Sequence, residues 1–267
     1  MEARGPCPLH IGRLMYTYGR RIYGLSILVG IERYETVHEV LDVFERFKVR
    51  PIQIFGSTPI LAKTGWLTYI IGDFTDSKVS PQDLVVELEK LEGIKQVHII
   101  KPIDDLLLID TVHFPLFLGK DRAMVFTRSF FDAVIRKTRN KFGEGVEAFQ
   151  YYEGRFIGEE IYEKLRSLLT EKGELLRAFK AFLIALGLAL IEVTEFKPEE
   201  GTIVVRAYEN FECEIGKEEG KAYSHLLRGI LAGFFSKVLD EKLIAYEVRC
   251  IAKGDDYCEF ILTKESV

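Results

Sequence analysis

The chain has 267 residues, enough for one large domain or two ordinary ones, and its 48% hydrophobic and 29% charged residues allow a full core under a charged surface. The net charge of -5 argues against direct binding of nucleic acid or of an anionic membrane, since both need a basic surface. No apolar run is long enough to span a bilayer and no signal peptide is evident, so we expect a cytoplasmic protein.

Residues 1–21 contain Pro6, Cys7 and Pro8 and end in two arginines, a composition that predicts an extended arm. Regular patterns begin at residue 22, with apolar runs typical of strands and apolar stripes at helical spacing. Thr36 is placed to cap the first helix, and the Ser80-Pro81 pair is placed to begin the second. The predicted elements are strands at 25–31, 51–55, 66–71 and 95–100 and helices at 37–47 and 81–91.

The order β-α-β-β-α-β predicts a ferredoxin-like domain, a four-stranded sheet with both helices on one face. Over residues 22–103 this order resembles an ACT domain, a regulatory module whose paired copies often bind amino acids. That family usually carries an Asp-x-Pro-Gly-type turn after its first strand. The corresponding residues 32–36 read Glu-Arg-Tyr-Glu-Thr. The difference favours a pairing role over amino-acid binding.

Residues 104–115 form the predicted linker, in which an apolar run between aspartates is expected to dock as a short strand. Beyond it, helices and strands alternate up to the C-terminus. The pattern predicts an α+β domain at 116–267, in which helices cover an antiparallel sheet. The expected elements are helices at 128–136, 159–169, 175–186 and 223–239, strands at 189–193 and 202–206, and a final hairpin.

The helix at 223–239 has a broad apolar face and two glycines four residues apart, Gly229 and Gly233. Each glycine lowers helix stability by roughly 1 kcal/mol relative to alanine. We therefore expect another backbone to approach closely there, from the sheet or from a symmetry-related copy.

The last hairpin contains Cys250 and Cys258 on either side of a Gly-Asp-Asp turn, with Glu247 three residues before the first cysteine. Four cysteines in a chain of this length do not make a disulfide framework. Three states stay open for this pair: a zinc site, a Cys250–Cys258 disulfide, and reduced buried thiols. The few Asn and Gln residues beside abundant Glu and Lys are typical of thermophile proteins.

The glycine-bearing helix followed by this hairpin resembles the end of the 4-vinyl-reductase domain, a small-molecule sensor module. The Tyr-Tyr-Glu-Gly run that begins at Tyr151 resembles its tyrosine-glycine element. In zinc-binding members of that family, a Glu and two Cys at this spacing are completed by a Cys on the preceding helix. That position is Ser224 here, so the resemblance implies that His225 or Cys213, placed on the preceding strand, completes the set.

A metal shared by Glu247 and Cys250 requires a bulge between them, because residues three apart in a regular strand point to opposite faces. The resemblance also implies an apolar cavity between the helices and the sheet, suited to an aromatic ligand. The predicted lining residues are Phe149, Tyr151, Tyr152, Phe156, Phe179, Phe182, Tyr223, Phe234 and Tyr246.

These patterns predict a cytoplasmic sensor, a homodimer that binds an apolar or aromatic molecule and signals through a protein partner. The chain has no G-x-S-x-G, P-loop, H-E-x-x-H or dinucleotide fingerprint, which argues against an enzyme. Two alternatives stay open. One is an enzyme or accessory protein for a vinyl-bearing tetrapyrrole, and the other is a dimeric scaffold without ligand.

Overall fold

The computed structural model describes residues 8–30, 33, 35–57 and 65–265. The chain divides into two compact units, unit 1 (Met1–Met124) and unit 2 (Val125–Val267). The division lies after Met124, whereas the predicted linker ends at residue 115. Residues 116–123 form a small hairpin of β7 (Leu116–Leu118) and β8 (Asp121–Ala123) that belongs to unit 1.

Unit 1 contains a four-stranded antiparallel sheet with the strand order β3-β4-β2-β5. This order and the two intervening helices confirm the predicted ferredoxin-like arrangement. In the turn at residues 32–36, where an ACT ligand loop would lie, residues 32 and 34 fall outside the described residues. The elements are β2 (Ile22–Val29), α1 (Thr36–Arg46), β3 (Arg50–Ser57), β4 (Trp66–Asp73), α2 (Pro81–Leu88) and β5 (Ile94–Ile100).

Alternation along β2 divides the sheet into two faces, because successive side chains point to opposite sides. Leu25, Ile27 and Val29 are fully buried in the core beneath the helices. Ser26 lies on the other face, which we call the open face. Near one end of this face, β1 (Leu14–Tyr16) pairs with β6 (Leu107–Ile109), so parts of the predicted arm and linker meet as a two-stranded ribbon.

The helix starts in unit 1 were predicted with mixed success. At α2 the Ser80 hydroxyl accepts the Asp83 N–H while the Asp83 carboxylate accepts the Ser80 N–H, a reciprocal cap. The prediction that Thr36 caps α1 is wrong. Glu35 holds the cap position, and the Thr36 hydroxyl instead donates to the Glu92 carbonyl at 3.0 Å.

Unit 2 contains an antiparallel sheet with the strand order β11-β12-β10-β9, and helices cover this sheet as predicted. The predicted helix at 159–169 is the end of a longer one, because α5 already begins at Glu144. A π-helical turn, Asp132–Lys137, joins α3 to α4. The elements are α3 (Arg128–Phe131), α4 (Thr138–Phe142), α5 (Glu144–Arg166), α6 (Lys172–Ala185), β9 (Leu190–Lys197), β10 (Thr202–Tyr208), α7 (Phe211–Ile215), α8 (His225–Leu239), β11 (Leu243–Arg249) and β12 (Cys258–Lys264).

The glycines of α8 do meet another backbone, but the partner was predicted wrongly. It is helix α5 of the same chain, neither the sheet nor a second copy. A Cβ on Gly229 would lie 2.0 Å from the Tyr151 carbonyl oxygen, and one on Gly233 would lie 2.0 Å from the Arg155 carbonyl oxygen. Two α5 glycines, Gly154 and Gly158, face α8 in the same manner. The four glycines thus let the two helices pack backbone to backbone.

Among the described residues, no helix combines the length and the apolar character that crossing a membrane requires.

Candidate metal centre and its surroundings

The C-terminal hairpin brings Glu247 and Cys250 to the same side by the irregularity that the sequence required. The pairing of β11 with β12 shifts register between Glu247 and Arg249. Such a bulge reverses the alternation of side chains, so two residues three apart can face one site. A short 3-10 turn, Ile251–Lys253, and Gly254 with φ of 99° then return the chain to Cys258.

Four donor residues meet beside this hairpin: Cys213, Glu247, Cys250 and Cys258, whose ligand atoms all lie within 4.8 Å of one another. The Cys213 sulfur lies 3.3 Å from that of Cys250 and 3.4 Å from that of Cys258. All three cysteines are free thiols and fully buried. The structure therefore contradicts the Cys250–Cys258 disulfide.

Cys213 enters the cluster from a helix, not from the predicted strand. It lies in the short α7, whose first turn is capped by Asn210 through a bond from the Glu212 N–H to the Asn210 side-chain oxygen at 3.2 Å. Asparagine favours this cap position because its side-chain oxygen satisfies an otherwise unpaired amide. The single turn of helix directs the thiol towards the hairpin.

Ser224, at the position where the resembled family has a cysteine, supports the cluster by hydrogen bonds. Its hydroxyl donates to Glu247 Oε1 at 2.7 Å, and its N–H donates to Glu247 Oε2 at 3.1 Å. The Asn210 amide donates to the Ser224 hydroxyl at 2.7 Å and lies 3.3–3.4 Å from two of the sulfurs. Such outer contacts orient ligands around a metal and make them stronger donors.

The donor set fits zinc in its chemistry and burial. Three thiols and one carboxylate are a ligand combination for a closed, four-coordinate structural zinc site. The two Cys213 sulfur separations are slightly shorter than the roughly 3.8 Å expected in a tetrahedron with 2.3 Å zinc–sulfur bonds. A metal would therefore separate the sulfurs by a few tenths of an ångström, within the reach of side-chain rotation.

Burial and the hydrogen bonds among the cysteines shift the pKa values of the cluster in opposite directions. Hydrogen bonds with Cys213 and Cys250 lower the pKa of Cys258 well below its ordinary value. The same bonds, together with burial, raise the pKa of Cys213. Burial also raises the pKa of Glu247 against the bonds from Ser224. One thiolate among protonated neighbours is the charge state that these shifts favour, and a divalent cation would stabilise further ionised ligands.

His225, the other predicted fourth ligand, is not part of the cluster. Its ring points to Glu147, with 3.6 Å between His225 Nε2 and a carboxylate oxygen. Burial and the charge of Arg139 lower the pKa of His225 to about 4 despite the opposing effect of Glu147. The imidazole is therefore neutral at pH 7.

A buried ion pair fixes the start of α8 next to the cluster. Glu212 accepts the backbone N–H groups of His225, Leu226 and Leu227 at 2.8–3.0 Å. A carboxylate is favourable there because the first amides of a helix are unpaired and carry partial positive charge. Arg139 donates to Glu212 at 2.5 Å and to the Tyr223 carbonyl at 2.8 Å, with a side chain only 2% exposed. Gln150 accepts from the same guanidinium at 2.6 Å.

Comparison with known proteins assigns the segment that contains the donor cluster to a protein family. A family model described as V4R domain matches residues 203–264. An uncharacterized protein of Methanocaldococcus jannaschii is 31% identical over 123 residues, which cover 46% of this chain and 68% of that relative. The chain belongs to the V4R-domain family.

The fold of this V4R-domain protein is also similar to solved structures. The phenol-responsive sensory domain of the transcription activator PoxR, solved with phenol, superposes with a TM-score of 0.50 at 13% identity, over 55% of this chain and 79% of that one. A vinyl-4-reductase family protein from Methanocaldococcus jannaschii superposes with a TM-score of 0.40 at 17% identity, over 54% and 85%. The first of these similarities supports a shared fold over the part of the chain that superposes.

The nine aromatic residues predicted to line a ligand cavity lie in three different environments within unit 2. Phe179, Tyr223 and Phe234 are buried, and the rings of Phe179 and Phe234 stack at 3.7 Å. Tyr151 and Phe182 are partly buried against the same core. The exposed ones are Phe149, Tyr152, Phe156 and Tyr246.

The residues near the donor cluster that the sequence patterns did not predict are buried polar residues. Arg139, Gln150, Asn210 and Glu212 are buried, although residues of these types are usually exposed. The one available signal was local, since Asn210 followed by Phe-Glu-Cys matches the start of a capped helix.

Proposed function

We propose that the protein is a small-molecule sensor. Its unit 2 binds an apolar or aromatic ligand and holds a structural zinc ion. The protein forms a homodimer and signals through a protein partner. The observation that carries the proposal is the V4R match, which covers all four residues of the donor cluster. Ligand binding would signal by favouring one arrangement of the protein, because only differential affinity shifts an equilibrium.

The zinc ion in this proposal is held by Cys213, Cys250, Cys258 and Glu247. Cys213 replaces the cysteine that the resembled family has at position 224, and Ser224 orients the carboxylate instead. The cluster is buried, so no open position is left for a reacting water and the role is structural. Zinc would tie α7 to the hairpin.

The proposed ligand is a small aromatic molecule with one polar group. PoxR, whose sensory domain has a similar fold, responds to phenol. In this chain the Tyr151 hydroxyl is buried and finds no hydrogen-bond partner among the residues that the structure describes. A buried hydroxyl without a partner is unfavourable, and a ligand hydroxyl would satisfy it.

Titration calorimetry of the full chain with phenol and with toluene tests the ligand class. Tyr151→Phe removes one hydroxyl, so we expect it to weaken phenol binding about tenfold and to leave toluene binding unchanged. The matched control is Tyr152→Phe, at the exposed neighbouring tyrosine, which should bind both probes as the wild type does. Absence of binding heat for both probes with the wild type would contradict an aromatic ligand.

The proposed dimer uses the exposed aromatic stripe on α5. Phe149, Tyr152 and Phe156 are 55–63% exposed and lie on one face of the helix, at spacings of three and four residues. Exposed aromatic side chains that adjoin one another are typical of protein interfaces. Light scattering should show that Phe149→Ser with Phe156→Ser halves the mass, whereas Leu168→Ser, at an exposed leucine outside the stripe, does not.

A further inference from the structure

Unit 1 contains a hollow on the open face of its sheet that the proposed sensor function does not use. Two adjoining cavities of about 350 and 430 Å³ share Leu67, His113 and Pro115 as walls. Ser26 lies on the inner strand β2 at the floor of the first cavity, between its register partners Tyr69 on β4 and His98 on β5. Cross-strand partners lie side by side on one face, so all three side chains border the hollow.

A continuous chain of hydrogen bonds runs through this hollow. Ser26 Oγ lies 2.9 Å from His113 Nε2, and His113 Nδ1 lies 2.8 Å from Asp110 Oδ2. An ionised Asp110 accepts hydrogen bonds and has no proton to donate, so His113 Nδ1 is the nitrogen that carries hydrogen. The other nitrogen, Nε2, is then the acceptor for the Ser26 hydroxyl. This is the order of groups that turns a serine into a nucleophile.

Asp110 is held in place and kept ionised by its own partners. Its Oδ1 accepts the N–H groups of Val112 and His113 at 3.0 and 3.1 Å, and Arg13 donates to Oδ2 at 2.6 Å. Burial favours the neutral acid, but the backbone and His113 bonds outweigh it and hold the pKa of Asp110 below its ordinary value. The His113 side chain is 15% exposed and lines both cavities, whereas the Asp110 side chain is only 1% exposed and lines the second cavity alone.

An unused hydrogen-bond donor lies beside the second, adjoining cavity. Tyr69 is 5% exposed, and its hydroxyl has no partner within the described part of the chain. Its ring centre lies 4.9 Å from that of His113. Burial and the nearby Asp110 charge raise the pKa of Tyr69, so the group stays an O–H donor.

We propose that Ser26, His113 and Asp110 form an acyl-transfer site that hydrolyses small esters with an apolar acyl group. Ser26 Oγ bonds to the ester carbonyl carbon while its proton moves to His113 Nε2. The bond to the alcohol oxygen breaks, and the leaving alcohol takes that proton. Water then attacks the acyl-serine, gives a proton to His113, and releases the acid as Ser26 recovers its proton. The net change is ester plus water to acid plus alcohol.

The walls of the first cavity set the substrate class. Leu28, Leu67, Val112 and Phe114 give it an apolar lining that suits an alkyl or aryl acyl chain. Its volume fits a molecule of modest size. Ser26 and His113 act directly on the substrate, whereas Asp110 is a positioning residue that orients His113.

Labelling of the full-length protein with a fluorophosphonate tests the nucleophile directly. The reagent forms a phosphorus–oxygen bond with an activated serine and loses fluoride. We expect peptide mass spectrometry to find the adduct on Ser26 in the wild type and in Ser167→Ala, which removes an exposed hydroxyl in unit 2. Ser26→Ala and His113→Gln should carry no adduct. A folded wild type without an adduct on Ser26 overturns the proposal.

Hydrolysis of p-nitrophenyl butyrate supplies the second readout. Ser26→Ala should lower kcat about 10³-fold or more, and Asp110→Asn should lower kcat with little change in KM because it acts through His113. A change of KM alone in Asp110→Asn, or wild-type turnover in Ser26→Ala, contradicts the assignment. None of these residues belongs to the V4R domain, so failure here leaves the sensor proposal intact.

Discussion

The donor cluster of unit 2 and the hollow of unit 1 both join residues distant in sequence, but they differ in how their polar groups are satisfied. In the cluster the carboxylate accepts from Ser224 and every thiol has a hydrogen-bonding neighbour in a buried setting. In the hollow, the buried Tyr69 hydroxyl lacks a partner among the described residues. A closed set of contacts favours stability, whereas an open set favours recognition of another molecule.

The contrast extends to the ion pair beside each region. Arg139 and Glu212 are both almost completely buried, with side chains 2% and 5% exposed. Arg13 pairs with Asp110 while its own side chain is 27% exposed. Removing one partner of a buried pair leaves an uncompensated charge, while a partly exposed pair is screened by water.

The largest expected effect is therefore that of Arg139→Met. It should lower the free energy of unfolding by about 3–5 kcal/mol, because Glu212 would stay buried without its cation and the buried Gln150 and Tyr223 carbonyl oxygens would lose their Arg139 donor. Arg13→Met in unit 1 is the matched comparison and should cost about 1 kcal/mol, since Asp110 keeps its bonds from His113 and two backbone amides. Urea unfolding measures both. Equal losses would break the contrast between the two regions.

A second prediction concerns the helix contact that supports the cluster. Gly233→Ala places a Cβ against the Arg155 carbonyl oxygen, so α5 and α8 must separate, at a cost of about 1–3 kcal/mol. Gly145→Ala, on α5 itself, has nothing within 4 Å of the added carbon and should be neutral or slightly stabilising. Thermal unfolding of the two variants gives the comparison, and a stable Gly233→Ala protein would mean that the helices are not in backbone contact.

The effect of pH on stability should be smaller than the effects of these substitutions, and it should depend on His225. The pKa of this histidine is lowered from 6.5 to about 4 in the folded protein by burial and the charge of Arg139. The unfolded chain therefore binds the proton first as the pH falls, and stability decreases from about pH 6.5 towards pH 4. Between pH 7 and pH 5 the loss should be about 1–2 kcal/mol.

Urea unfolding of the wild type and of His225→Gln at the two pH values isolates this contribution. The variant cannot bind the proton, so its stability should change less between pH 7 and pH 5. If both proteins lose the same amount, His225 is not the group responsible.

The sequence predicted the elements with strong periodicity and the hairpin that carries two of the donors. The bulge between Glu247 and Cys250 was required by the spacing and is present. The helical setting of Cys213 was missed because α7 is one short turn, defined mainly by the Asn210 cap.

Contacts between distant charged residues were beyond the sequence patterns. Arg139 and Glu212 look like surface residues in the sequence, and only packing shows that they are buried together. Likewise, 87 positions separate Ser26 from His113, and no local motif marks either one. Patterns of two to four residues predict elements, whereas such sites depend on where the elements meet.

Native mass spectrometry of the full chain, purified without added metal, tests the sensor account most directly. A zinc-bound dimeric sensor should show the mass of two chains, one zinc ion per chain and a co-purifying small apolar molecule. Cys258→Ser should lose the zinc, whereas Cys7→Ser, at the cysteine outside the described residues, should keep it. A wild type with the mass of a single bare chain, without zinc or small molecule, would contradict the account.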